Sequence, residues 1–358
     1  MMSQGNGGTP IVSLTNLEMN FYKSRGLFQK PQELNVLHQI NLSIREGEIL
    51  VLVGESGSGK TTLANVIAGL LQPTGGTFEF NRHKISSMSK NQKKEYRNSI
   101  QIIQQDSYAA LNPTRTMIKS LGDPMLIKKY ANKGNLYQKV NEILETVELV
   151  PTDHFINKYP FEMSGGQRQR ALIARALSMN PKLILADEPV SMIDASLRVS
   201  ILNLLARLNR ERNIAILYIT HDLATARYVG KDGRIAVMYL GEIVETGNVQ
   251  EVLSNPQHPY LQALLSAVPI PNPYLSRMRK KMMITGADLP SIAHIPSGCR
   301  FHDRCVYCKN ICRTQPPQPA RHGSSIVACH LVNELPKFEL FEEDFKYAHR
   351  GKLSENVK

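Results

Sequence analysis

The sequence predicts an α/β fold: an open, largely parallel sheet carrying its ligand along one edge, with a β-subdomain, a helical insert and a cysteine-rich tail added to it. Two patterns carry the α/β core. Gly54-Glu55-Ser56-Gly57-Ser58-Gly59-Lys60-Thr61 is a glycine-rich turn ending in Lys and Thr, set between the aliphatic run Ile49 to Val53 and a helical stretch, Thr62 to Ala68. Short apolar runs then recur at Ile100 to Ile103, Leu183 to Ala186 and Ile214 to Ile219, each followed by polar residues and separated by helix-like segments. The third observation concerns the tail, where all five cysteines fall between Cys299 and Cys329.

Taken in order, Ile11 to Phe21 alternates as a strand, with Leu17, Met19 and Phe21 on one face. An aromatic ring at its end could stack on a purine base, although Phe21 or Tyr22 could equally be a core or edge aromatic. Ser24 to Glu33 reads as a loop, Val36 to Ile44 as a strand, and Glu46-Gly47-Glu48 as the turn into the next one. Gly75-Gly76 reads as a tight turn before the strand Thr77 to Phe80, completing a hairpin-bearing β-subdomain. From Leu111 to about Tyr159 the spacing of Val140, Ile143, Leu144, Val147 and Leu149 is helical, with breakers expected at Pro124, Pro151 and Pro160. Ser164 can cap a helix running through Leu177, and Val199 to Leu208 is a further helix. No internal repeat is present.

The chemistry starts at the glycine-rich turn. A strand, a turn and a helix start aim unpaired backbone N–H groups and the positive end of the helix dipole at one spot, which attracts phosphate. Glycines let the backbone wrap a β-phosphate, Lys60 can bridge β- and γ-oxygens, and Thr61 can offer its hydroxyl to Mg²⁺. Asp187, emerging from an apolar strand, can hold Mg²⁺ directly or through water, and Glu188 can polarise an attacking water. A strand-ending Asp-Glu pair also serves as a plain helix cap. Ser164-Gly165-Gly166-Gln167 makes a second phosphate-seeking helix start, and the expectation is that it completes the nucleotide site of another subunit.

Composition narrows the setting. The chain has 358 residues, a hydrophobic fraction of 42% and a formal charge of +12. No apolar run approaches the roughly 18 residues of a membrane span, and no signal-peptide pattern opens the chain, so a cytoplasmic location is expected. The charge suits an anionic neighbour or a plain solvated surface. Its clusters, Lys93-Lys94 and Arg277 to Lys281, form no arginine-rich tail or aromatic-interleaved stripe, so nucleic acid is not the expected partner. An odd number of cysteines in a reducing compartment argues against a disulfide framework.

The phosphate loop, the Ser164 to Gln167 stretch, the apolar strand ending in Asp187-Glu188 and the later His221, in this order, resemble the ATPase subunits of ABC transporters. The resemblance implies a P-loop NTPase: a RecA-like core with an antiparallel β-subdomain and a helical insert at about 106–165, within an ATPase domain at 11–255. It implies that ATP and Mg²⁺ are held by Phe21, Gly54 to Thr61, Thr62, Gln105, Ser164, Gly165, Gly166, Gln167, Asp187, Asp194 and His221, with Thr61, Gln105 and Asp187 on the metal side. Lys60, Glu188 and His221 take the catalytic roles. Gln105 matches the glutamine that senses Mg²⁺ and couples to the membrane subunits, Asp194 the loop that crosses the dimer interface, and His221 the γ-phosphate switch. Met163 stands where Leu is usual, a conservative change in volume.

Gln105-Asp106-Ser107-Tyr108-Ala109-Ala110-Leu111-Asn112-Pro113, Asp187 to Ser191 and Asn255 to Leu265 are similar to the oligopeptide/dipeptide importer subfamily. The loop around Gly26-Leu27-Phe28 is similar to its F-type ATPase. That subfamily implies a heterodimer with a D-type ATPase, two permeases and an extracytoplasmic binding protein, with the chain peripheral at the cytoplasmic membrane face. It also implies a C-terminal segment at 256–332, followed by a tail at 333–358. In that segment Cys299, Cys305, Cys312 and Cys329 match the positions of an iron–sulfur cluster of the 4Fe–4S kind. Cys308 is additional, and the Cys305–Cys308 spacing also suits zinc. Because these cysteines lie far in sequence from the ATP residues, a structural role is expected for them. Nickel or another small solute is the alternative cargo. A soluble ATPase acting on nucleic acid would carry a long coiled coil or two motif sets, and this chain has neither.

Overall fold

The structure, a computed structural model, describes residues 9–24, 31–268, 284–285, 290 and 292–338. Two sheets organise it. The smaller is antiparallel and contains β1 (Pro10–Lys23), β2 (Gln32–Arg45), β4 (Gly75–Phe80) and β5 (His83–Lys84) in the order β2-β1-β4-β5. The larger has eight strands. Its parallel part, β6 (Ile100–Ile103), β7 (Leu183–Asp187), β8 (Ala215–Thr220), β3 (Ile49–Val53) and β9 (Arg234–Tyr239), lies side by side in that order. Beyond β9 the sheet turns antiparallel through β10 (Glu242–Asn248), β12 (Ser325–Val327) and β11 (Ala320–His322).

Strands buried on both faces need apolar residues at successive positions, and β3, β7 and β8 supply them. The pleat sorts them: Val51, Val53, Ile184, Ile216 and Tyr218 pack in one core, while Leu50, Leu52, Leu185, Leu217 and Ile219 pack in the other. Burying each such side chain contributes about 1.5–3 kcal/mol. The first core takes α7 (Gly165–Leu177), α8 (Ala195–Arg212) and α9 (Leu223–Val229); the second takes α1 (Lys60–Ile67), α2 (Lys90–Ser99) and the β-subdomain. The insert is helical as expected: α3 (Ser107–Ala110), α4 (Met117–Ile127), α5 (Leu136–Thr146) and α6 (Asp153–Ile156) precede α7. Among the described residues, no helix is long and apolar enough to cross a membrane.

Four local expectations need correction. Gly75-Gly76 is not a turn but the start of β4, paired to β1. β1 bulges between Thr15 and Glu18, and a Cβ on Gly76 would meet the Asn16 carbonyl at 2.2 Å, so glycine serves close strand approach there. Pro124 does not break its helix. It sits inside α4, whose Met117, Leu121, Gly122 and Met125 are buried, and that packing offsets the ~3 kcal/mol cost of an interior proline. The strand at Val36 begins at Gln32, because pairing with β1 extends it through polar residues as far as Lys23 opposite Gln32. The helix read from Val199 begins at Ala195, behind Asp194. The Gly26 to Phe28 loop and the Arg277 to Lys281 cluster lie outside the described residues.

The segment after β10 is not detached from the core. α10 (Val249–Ser254) and α11 (Pro259–Ala267) lead to the cysteine region, which includes α12 (Asn310–Thr314) and returns through the β11–β12 hairpin to the edge of the large sheet. Glu245, fully buried in β10, anchors the turn into α11 by accepting the Gln257 and His258 backbone N–H groups. Phe301 plugs the interface, with ring centroids 5.2 Å from Tyr239 and 5.5 Å from Tyr260.

Candidate functional site

Strand order alone brings the polar strand ends together. Reading along the C-terminal edge, Gln105 follows β6, Glu188 follows β7, His221 follows β8 and Gly54 follows β3. The loop from Gly54 to Gly59 is shaped by close approach. Gly57 and Gly59 have φ of 83° and 103°, and a Cβ on Gly54 would meet the Met238 carbonyl at 2.2 Å. The turn between β9 and β10 braces the loop, with Gly241 N–H donating to Ser58 O at 2.9 Å.

Lys60 is buried at the first turn of α1, and its Nζ donates to the carbonyls of Gly54 and Glu55 at 2.8 Å each. Burial lowers its pKa, while the carboxylates of Glu188, Asp187 and Glu55 push the other way. Thr61 Oγ1 donates to Asp187 Oδ2 at 3.0 Å. Burial raises the Asp187 carboxyl; the Thr61 bond and Lys60 oppose that shift and Glu188 reinforces it. A divalent cation beside Thr61 and Asp187 would meet oxygen donors suited to Mg²⁺. The fit to a triphosphate is direct: a helix start, a buried cation, and a buried Ser58 hydroxyl with no hydrogen-bond partner among the described residues.

Glu188 is held from two sides. Its Oε2 accepts from Gln105 Nε2 at 3.0 Å, and its Oε1 lies 2.7 Å from His221 Nδ1. An ionised carboxylate can only accept, so Nδ1 carries the proton. The backbone at Glu188 has φ 45°, a left-handed conformation that costs a non-glycine residue ~1–3 kcal/mol. That turn breaks strand alternation. Asp187 and Glu188, neighbours in sequence, therefore reach the same polar cluster instead of opposite faces.

The structure thus brings Lys60, Thr61, Gln105, Asp187, Glu188 and His221 together. Ser164 to Gln167 form a separate feature. Ser164 caps α7 in a reciprocal box with Gln167, at 3.3 and 3.0 Å, and is exposed. A Cβ on Gly166 would meet Leu197 at 3.0 Å, so the starts of α7 and α8 touch, with Asp194 at the N-cap of α8. Exposed Met192, Leu197 and Val199 lie around Asp194. Phe21 lies at the outer end of β1, opposite Leu34 and 37% exposed, while β2 passes the loop at Val36 and Leu37. Thr62 is half-buried in α1.

Several contacts were not legible in the sequence. Arg168 lies 3.6 Å over the Tyr108 ring and Arg175 donates to Ala110 O, so α7 grips the turn after Gln105 from two points. Glu55 is tied to the C-terminal segment: Arg304 donates to its carboxylate at 2.7 and 3.0 Å, and its N–H donates to Tyr260 Oη at 2.8 Å. Only an acidic residue within the loop and an Arg-rich cysteine segment hint at that pairing.

Cys312 is buried, and the other four cysteines are partly so. Cys299 N–H donates to Cys312 O at 2.8 Å. Burial pushes the Cys299 thiol up to about 12; the Phe301 backbone bond opposes the shift, and the nearby thiols of Cys329, Cys305 and Cys312 add to it. Among the described residues, no group of three or more His, Cys, Asp or Glu stands in a metal-holding array.

The ABC transporter family pattern matches residues 37–191, and the pattern of the oligopeptide/dipeptide transporter C-terminal region matches residues 244–312. The chain is 40% identical over 326 residues, 90% of it and 98% of the relative, to the oligopeptide transport ATP-binding protein AppF of Bacillus subtilis. It is 36% identical over 334 residues, 93% of it and 100% of the relative, to the dipeptide transport ATP-binding protein DppF of Haemophilus influenzae. Among solved structures, the ATP-binding cassette MJ0796, in a dimeric post-hydrolysis state bound to ADP and Pi, superposes with a TM-score of 0.58 at 30% identity, covering 66% of this chain and 98% of that one. The protein cbiO1 from Clostridium perfringens, part of the ABC transporter complex cbiONQ, gives 0.58 at 27% identity over 68% and 90%.

Proposed function

The chain belongs to the ATP-binding proteins of ABC transporters, and from that premise we propose that it hydrolyses ATP to power the import of di- and oligopeptides. The observation that carries the proposal is the single polar cluster of Lys60, Thr61, Asp187, Glu188, Gln105 and His221, on a chain whose C-terminal region matches the oligopeptide/dipeptide pattern. In this reading the Gly54 to Thr61 loop and Lys60 bind the triphosphate, and Thr61 and Asp187 hold Mg²⁺. Glu188, oriented by Gln105 and His221, takes a proton from the attacking water. Ser164 to Gln167 and Asp194 face a second ATPase, so two ATPs are buried between two such domains; closure and reopening of that pair drive the membrane subunits.

The partners are a D-type ATPase, two permeases and an extracytoplasmic peptide-binding protein, with this chain peripheral at the cytoplasmic face of the membrane. The domain division is 11–255 for the ATPase and 256–332 for the segment built onto its sheet. Isolating the complex from native membranes, identifying what copurifies and measuring which peptides stimulate ATP turnover tests this. Stimulation by nickel or another small solute, with no response to peptides, would reassign the cargo.

For Cys299, Cys305, Cys312 and Cys329 the proposal is a 4Fe–4S cluster, with zinc as the alternative. Four soft donors on one segment support it by type and number. When bound, such a group supplies cross-links among the turns that carry the thiols. Anaerobically purified protein should contain iron and sulfide; protein without either removes the cluster.

A further inference from the structure

Glu55 is the second residue of the phosphate loop, and each of its polar groups is taken. Its carboxylate receives a two-pronged bond from Arg304, its N–H is bound by Tyr260 Oη, and its carbonyl accepts from Lys60 Nζ at 2.8 Å. The first two partners come from outside the core motifs, 249 and 205 residues away in sequence.

Both partners are built in rather than draped over the surface. Arg304 is 5% exposed and Tyr260 1%. The Arg304 guanidinium carbon lies 5.8 Å from the Tyr239 ring centre and 6.0 Å from that of Phe301, inside the aromatic cluster that joins Tyr239, Tyr260 and Phe301. Its backbone is set by successive turns, with His302 N–H donating to Cys299 O, Arg304 N–H to Phe301 O and Cys305 N–H to His302 O. A planar fork on a two-oxygen carboxylate fixes orientation as well as distance, which a lysine could not do.

We infer that Arg304 and Tyr260 are positioning residues for ATP binding, clamping Glu55 so that the loop is held in its phosphate-accepting shape by the cysteine-bearing segment. The inference rests on reading the Gly54 to Thr61 loop as the ATP site. The physical reason is preorganisation. A glycine-rich loop is intrinsically free, and whatever restrains it before ATP arrives removes ordering cost from binding. The segment expected to be a remote structural appendage is by this contact part of the frame of the nucleotide site. The Glu55 N–H, spent on Tyr260, is not among the amides left to a phosphate.

The test is a double-mutant cycle on the full chain, read as equilibrium Kd for a fluorescent ATP analogue with thermal midpoints recorded in parallel. Arg304→Met and Glu55→Gln should each weaken binding by about five- to tenfold, and the double variant no further than the weaker single, because both remove one interaction. Tyr260→Phe, which keeps the ring and loses only the acceptor, should weaken binding by about threefold. Wild-type Kd in folded Arg304→Met, or effects that multiply in the double variant, overturns the clamp. Should Arg304→Met fail to fold, Arg304→Lys keeps the charge without the fork; binding between wild type and Glu55→Gln supports the clamp, and wild-type binding overturns it. Lys60→Ala separates the two readings. Its loss of binding upholds the ATP site whatever Arg304 does, whereas unchanged binding removes the site and the clamp together.

Discussion

Glu188→Gln is the sharpest perturbation of the proposed chemistry. The substitution keeps side-chain length and the left-handed backbone, so the Thr61–Asp187 contact and the Lys60 bonds have no reason to move. What changes is basicity, and with it the acceptor pair now shared by Gln105 Nε2 and His221 Nδ1. An amide offers one acceptor oxygen where the carboxylate offered two, and it cannot take a proton from water. General-base catalysis is worth about 10²–10⁴-fold, or ~2.7–5.4 kcal/mol at 1.36 kcal/mol per decade, and turnover should fall by that amount. ATP affinity should hold or improve, because Glu188 is a negative charge near Lys60 and near the place a triphosphate would occupy. The assay is phosphate release at saturating Mg²⁺ and ATP, paired with size-exclusion chromatography for an ATP-held pair of ATPases. Turnover within about threefold of the parent would show that Glu188 is not the base.

Further expectations follow from single contacts. Thr61→Val removes the hydroxyl that donates to Asp187 and that would meet the metal, so the Mg²⁺ concentration for half-maximal ATPase should rise about tenfold in a titration. Phe301→Ala empties a fully buried aromatic site and should cost about 3–5 kcal/mol in denaturant unfolding monitored on the full chain. His258 is fully buried, and burial lowers its pKa to about 3, so the folded state stays neutral where the unfolded chain takes up a proton. Stability from this group is therefore present above pH 6.5 and lost as pH falls toward 3. His258→Asn, which can still accept the Tyr260 N–H as a helix cap, should lose about 2 kcal/mol less than the parent between pH 6.5 and 5.

What the sequence made legible was local or periodic. The strand, turn and helix around Lys60 follow from five aliphatic residues, closely spaced glycines and a helix former in succession, and the box joining Ser164 to Gln167 is written in three residues of spacing. The positions of Asp187, Glu188 and His221 at strand ends are legible because apolar runs end where strands end. The misses have a common cause in contacts across chain distance. Gly76 is fixed by the Asn16 carbonyl on another strand, Pro124 is tolerated because α4 packs against its neighbours, and the polar residues from Gln32 become a strand only because β1 pairs with them. The grip of Arg304 on Glu55 is the extreme case. No periodicity or motif links positions 249 residues apart, and distance in sequence pointed away from the contact.

In the proposed cycle a triphosphate in this chain's loop is completed by another subunit, with Lys60 on one side and a Ser-Gly-Gly helix start on the other. Cryo-electron microscopy of the assembled transporter carrying Glu188→Gln, with Mg²⁺ and ATP, resolves both sites. ATP should lie on Lys60, capped by the facing ATPase's helix start, while this chain's Ser164 and Gly165 cap the facing ATP. ATP bound between the two ATPases with the Ser164 helix turned to solvent would contradict it.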